Sequence, residues 1–111
     1  MALTQKEVGK RNFIQEVKLL DSQEGTTNGE WFKLRGRTDV SIHFDGLVDG
    51  IVQIRASNDY SDNLVNTDDG VQIGADISSN QIIVINSFIK YIKIKKTVAG
   101  TDSVTATLIC G

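Results

Sequence analysis

The sequence predicts an all-β chain: a two-sheet antiparallel sandwich, jelly-roll-like or of Ig-like kind, of about eight short strands. Three observations carry that expectation. Several runs alternate apolar and polar residues with period two. Turn-forming Gly, Asn and Asp recur between them at near-regular intervals in a chain with no proline, and no helical crossover interrupts the pattern.

The first element spans Asn12 to Leu20, where NFIQEVKLL suits a strand but also fits a short helix. In the second, Glu30 to Arg35, Phe32 and Leu34 oppose Trp31, Lys33 and Arg35, although a tryptophan at a strand end can also be the buried residue. From Thr38 to Asp45, Val40, Ile42 and Phe44 share one parity and Ser41, His43 and Asp45 the other. From Gly50 to Ser57, Val52, Ile54 and Ala56 oppose Gln53, Arg55 and Ser57. Val71 to Ala75, Gln81 to Ile85 and Phe88 to Lys95 follow. Val104 to Cys110 closes the chain with Val104, Ala106, Leu108 and Cys110 inward and Thr105, Thr107 and Ile109 outward. Such alternation is that of half-buried antiparallel strands. Strand order is not readable from it.

A chain of 111 residues is about one domain, able to bury roughly 65% of its unfolded surface without staples. Residues 1–11 read as an N-terminal arm without strand period, carrying Leu3 and Val8, and 12–111 as a single sandwich domain. One cysteine, Cys110, excludes an intrachain disulfide and suits assembly in a reducing cytosol. Neither a signal-peptide core nor a membrane-spanning apolar stretch is expected. The net charge of −2 gives no general reason to bind nucleic acid or an anionic membrane.

No set of residues assembles into recognisable chemistry, so neither catalytic, metal nor cofactor residues are assigned. Asp45, Asp49, Asp59, Asp62, Asp68 and Asp69 all fall in turns, where carboxylates serve either as Asx-type turn formers or as calcium ligands, but none has EF-hand spacing. Ser41, His43 and Asp45 share a strand face, yet alternate residues stand about 6.5 to 7 Å apart, too far for a nucleophile and base to bond directly. Lys90, Lys93, Lys95 and Lys96 around Tyr91 suggest a guarded outer strand or, alternatively, a stacking surface for single strands. Lys93 and Lys95 are expected outward, and Lys90 and Lys96 on the parity of Ile92 and Ile94. Trp31, Tyr60 and Tyr91 are the candidates for a sugar-stacking platform.

VQIRASNDYSDN, followed by VINSFIKYIKIKKTVAGTDSVTATLICG, resembles the small β-sandwich proteins that decorate tailed-phage capsids. The chain is similar in length and pattern to the capsid staple, or cement, proteins of the Salmonella podovirus epsilon-fifteen and its relatives. The resemblance implies a non-enzymatic subunit, made in the bacterial host cytoplasm, that binds the outer capsid surface of the virion and clamps neighbouring major capsid protein subunits. It also implies a homodimer and no cofactor. The resemblance carries over no contact residues; from the residues themselves, the arm with Leu3 and Val8 is expected to dock on neighbouring capsid subunits, and an outer strand or the outward Ile109 to contribute to a two-fold dimer contact. The alternatives are a carbohydrate- or receptor-binding module of a tail fibre and a tail or neck structural subunit.

Overall fold

The computed structural model describes residues 14–58 and 64–111. Within these residues eight strands follow one another: β1 (Gln15–Gln23), β2 (Phe32–Lys33), β3 (Val40–Asp45), β4 (Ile51–Ser57), β5 (Val71–Ile77), β6 (Gln81–Ile85), β7 (Tyr91–Val98) and β8 (Val104–Cys110). They form two four-stranded sheets, β1-β8-β3-β6 and β2-β7-β4-β5, in which every neighbouring pair is antiparallel. The first strand lies beside the last and the second beside the seventh, the wiring of an eight-stranded jelly roll. The described residues contain no helix, and the segment that also suited a short helix is β1.

The alternating runs place the core. Val40, Ile42 and Phe44 of β3, Val52 and Ile54 of β4, Ile92 and Ile94 of β7, and Val104, Ala106 and Leu108 of β8 are all buried between the sheets. Leu34, Leu20, Leu47, Ile77 and Ile85 complete the cluster, and Cys110 is buried with it. Burial pushes the Cys110 thiol above its ordinary range.

Several boundaries differ from the sequence expectation: β3 begins at Val40, β5 runs on to Ile77 and β7 to Val98. β1 runs on to Gln23, with register irregularities between Lys18 and Leu20 and between Leu20 and Gln23 that bend its end. β2 keeps only Phe32 and Lys33: Leu34 still donates in register to the Lys90 carbonyl at 2.9 Å, but Arg35 and Gly36, at φ 56° and 83°, then turn the chain out of the ladder. The expected Phe88 to Lys95 strand begins at Tyr91. There the Lys90 amide donates to Asn58 Oδ1 at 2.7 Å, which makes the preceding residues a connection and leaves Phe88 81% exposed.

Two turns require glycine. A Cβ on Gly29, at φ 77°, would lie 2.1 Å from the Ile94 carbonyl oxygen, so only a bare backbone can run alongside β7 there. At Gly46, φ 83°, a Cβ would meet the Ser103 carbonyl at the same distance.

Candidate interaction surface

The outward residues of the first sheet form two rows across its strands, with Asp45 and Thr105 making a shorter third row at one end that does not reach β6. Glu16, Ile109, Ser41 and Val84 are Cα partners in one row, and Lys18, Thr107, His43 and Ile82 in the next. From β8 across β3 to β6, neither row contains Asp, Glu, Lys or Arg. Ile82, Val84 and Ile109 are exposed by 61%, 64% and 43%. Ile14, also exposed, lies with Ile109, Val84 and Ser41 along a shallow groove at one end of this face, where Asp39 is the one charged side chain of the lining. Exposed β-branched residues on a face cleared of charge are the composition of an interface core.

The outer face of the second sheet is built differently. Gln53, Arg55 and Ser57 of β4 pair across to Lys95, Lys93 and Tyr91 of β7, and charged side chains occupy its centre. Lys93 was expected to point into solvent; its side chain is fully buried. The chain between β4 and β5 folds back over it, so that Lys93 Nζ donates to the carbonyls of Asn66, at 2.7 Å, and of Asp68. The indole of Trp31 covers the ammonium with its ring centroid 4.7 Å away, and Trp31 Nε1 donates to the Val65 carbonyl at 3.1 Å. Desolvation holds the Lys93 pKa below the ordinary lysine value, against the opposing field of Asp69. Asp69 itself receives Lys95 Nζ at 2.9 and 3.0 Å, and that bonding lowers its carboxyl pKa.

Lys96, on the core parity as expected, is also buried. Its Nζ reaches the carbonyls of Gln23 at 2.8 Å, Glu24 at 3.1 Å and Asp102 at 3.3 Å, and so ties β7 of one sheet to the end of β1 in the other. The lysines therefore do not guard an edge. β7 is an interior strand between β2 and β4, and two of its lysines are internal clamps for irregular backbone.

Among the described residues the acidic turns are occupied by the chain's own donors. Asp45 Oδ1 accepts from the Gly46 amide at 2.9 Å, Asp68 Oδ2 from Val65 at 3.1 Å, and Asp49 Oδ1 from the Thr101 amide at 2.7 Å. Asp102, which the sequence reading passed over, accepts from the amides of Val48, Asp49 and Gly50 at 3.0, 3.0 and 2.7 Å. Burial alone would raise its pKa, but the three amides outweigh it and hold the carboxyl well below the usual range. Among the described residues no three His, Cys, Asp or Glu side chains stand together as a metal site, and no helix is long and apolar enough to cross a membrane.

Of the residues expected at a partner interface, Ile109 lies within the neutral face. Leu3 and Val8 fall outside the described residues, as do Asp59, Tyr60 and Asp62. His43 is exposed between Thr107 and Ile82. Neither remaining candidate for sugar stacking stands free: one indole face carries the Lys93 ammonium, and Tyr91 is buried, with the Lys33 and Lys90 ammonium groups 5.9 and 5.8 Å from its ring. Sequence reasoning missed Ile82, Val84 and Ile14. A usable mark was present, since Ile77 to Ile89 is the longest stretch of the chain without Asp, Glu, Lys or Arg.

Compared with known proteins, the chain matches no family model, no curated protein and no solved structure.

Proposed function

We propose that this protein is a non-enzymatic virion structural subunit that binds the outer surface of a phage capsid and clamps neighbouring major capsid protein subunits. The observation that carries a binding role is the neutral, apolar outer face of β8-β3-β6. Exposed β-branched side chains grouped on one face of a small sandwich are costly to solubility and are retained where something covers them. The partner comes from the resemblance of the segments around Val52 to Asn63 and Val84 to Gly111 to capsid staple proteins. Clamping needs at least two contacts per bound unit, which a homodimer supplies: two weak contacts on adjacent capsid subunits gain from effective concentration that free subunits do not offer.

The test is to mix the protein with capsids stripped of it, with free capsid protein and with a glycan array. Binding to assembled capsids alone is expected. The Ile109→Lys variant, which places a charge on the β8 border of the neutral face, weakens that binding by about tenfold or more. Glycan binding without capsid binding would replace this reading with a carbohydrate-binding module.

A further inference from the structure

A two-sheet sandwich has four edge strands, and each exposes a row of unpaired backbone amides and carbonyls that invites another strand. Three of the four edges here carry a device against that. β1 is broken by two register irregularities and by Ser22 at φ 51°, and presents Glu16 and Lys18. β2 is two residues long. β5 has a register irregularity opposite Val52 and Ile54, Gly74 at φ 72°, and Asp76 joined to Gln72 and Gln53 through side-chain hydrogen bonds.

β6 has none of these. Its five residues, Gln81 to Ile85, pair in unbroken register with β3, and among the described residues they pair with nothing on the other side. Four of the five are Ile or Val. No charged residue occurs within the strand or in the turns on either side of it, Ser78 to Asn80 and Asn86 to Ser87. An edge that is regular, apolar and unguarded beside three guarded ones is built to be paired.

We propose that the occupant is a second copy of the same strand: two chains join through their β6 edges about a two-fold axis, fusing their first sheets into one continuous antiparallel sheet of eight strands. The inference rests on the dimeric reading above and assigns the surface that makes the dimer. Self-pairing is selective about charge, because an antiparallel strand placed against itself brings each residue near its own kind, and any like charge close to the axis would repel. β6 satisfies that condition over its whole length. With the axis near Ile83, Ile82 of one copy faces Val84 of the other, both on the outward side. The neutral faces of the two chains then lie side by side, and each Ile109 remains free for a further partner.

The experiment uses the full chain in sedimentation equilibrium and a charge exchange across the axis. The wild type is expected at the mass of two chains at micromolar concentration. A variant with Ile82→Lys and Val84→Lys, and another with Ile82→Glu and Val84→Glu, are each expected as monomers, since every cross-axis pair becomes like-charged. Both sites are exposed, so folding is retained and is checked by circular dichroism. Mixed together, the two variants are expected to form a one-to-one heterodimer. A monomeric wild type, variants that dimerise as the wild type does, or a mixture that stays monomeric overturns the proposal. Capsid binding by a monomeric wild type would remove only the β6 pairing and leave the capsid reading standing.

Discussion

Replacing Lys96 by Met tests whether a buried ammonium is a structural clamp. Met keeps most of the unbranched stem and removes only the charge and its three donors. The native Nζ satisfies three carbonyls, those of Gln23, Glu24 and Asp102, and so uses every proton it has. Hydrogen bonds from a charged donor are worth about 1.5 to 3 kcal/mol each, but desolvating an ammonium costs several kcal/mol, and the substitution relieves that cost. What decides the balance is the carbonyls left behind. Glu24 is exposed and Gln23 half-buried, so water replaces the lysine there; Asp102 is buried, and leaving its carbonyl unpaired costs about 1 to 3 kcal/mol. Adding the lost tether between the sheets, Lys96→Met should destabilise the fold by about 2 to 4 kcal/mol. Lys95→Met is the control. Lys95 pairs with Asp69 at the surface, and its loss should cost about 0 to 1 kcal/mol. Urea unfolding followed by circular dichroism reads both variants as shifts of midpoint at constant slope. A Lys96→Met protein as stable as the wild type would show that the burial penalty cancels the bonds, and the clamp reasoning would fail.

Ile54→Ala removes a fully enclosed side chain from β4 and should cost about 2 to 5 kcal/mol in the same assay, with the spectrum remaining all-β. The Asp102 carboxyl titrates lower in the folded chain than the roughly 3.9 of an unfolded aspartate, so its stabilisation is complete above that value and is lost as pH falls from about 4 towards the folded pKa. Asp102→Asn should flatten this acid limb of the stability profile, and an unchanged limb would assign it to other carboxylates. Because the chain's own amides and lysine occupy the carboxylates of Asp45, Asp49, Asp68 and Asp69, a chelator should leave the thermal midpoint where it is; a large fall would restore the calcium reading of the turns. Deleting residues 1–10 should leave the sandwich folded and reduce capsid occupancy and the heat resistance of the decorated shell, whereas full occupancy would remove the arm from the mechanism.

The core was legible in the sequence because a period of two is a local property: Val40, Ile42 and Phe44 read as buried without knowledge of what lies opposite. Strand order was not, since β1 meets β8 and β2 meets β7 across most of the chain's length, and nothing local encodes those pairings. The lysines of β7 show a second limit. Lys93 has the outward parity its sequence suggests, but its burial depends on Asn66 and Asp68, 27 and 25 residues away, and on Trp31 closing from a third segment. Charge patterning reports which side of a strand a residue takes. It does not report what later folds over that side. Ile109 was found because it sits out of phase in a clean alternation, while Ile82 and Val84 were hidden in QIIVI, a continuous apolar run whose two faces periodicity does not separate.

The two buried ammonium ions also bear on why the sheets differ. Apolar replacement of a buried charge is often neutral or stabilising, so the net stability of each ion is weak grounds for its presence. Position is the better ground. Each ion binds backbone carbonyls of irregular segments, Asn66 and Asp68 for Lys93, and Gln23, Glu24 and Asp102 for Lys96, where hydrogen-bonded ladders do not hold the chain. Lys93 in particular draws the connection between β4 and β5 onto the outer face of the second sheet and covers it. The outer face of β8-β3-β6 bears no such anchoring lysine, and the apolar row of Val84 and Ile109 is left in solvent. A sandwich that covers one outer sheet with its own connection and keeps Ile82, Val84 and Ile109 exposed on the other treats its two faces differently, and the proposed function assigns attachment to the second. If so, Lys93→Met should loosen the segment over Trp31, read as faster hydrogen exchange at residues 64–70, without weakening attachment through Ile109.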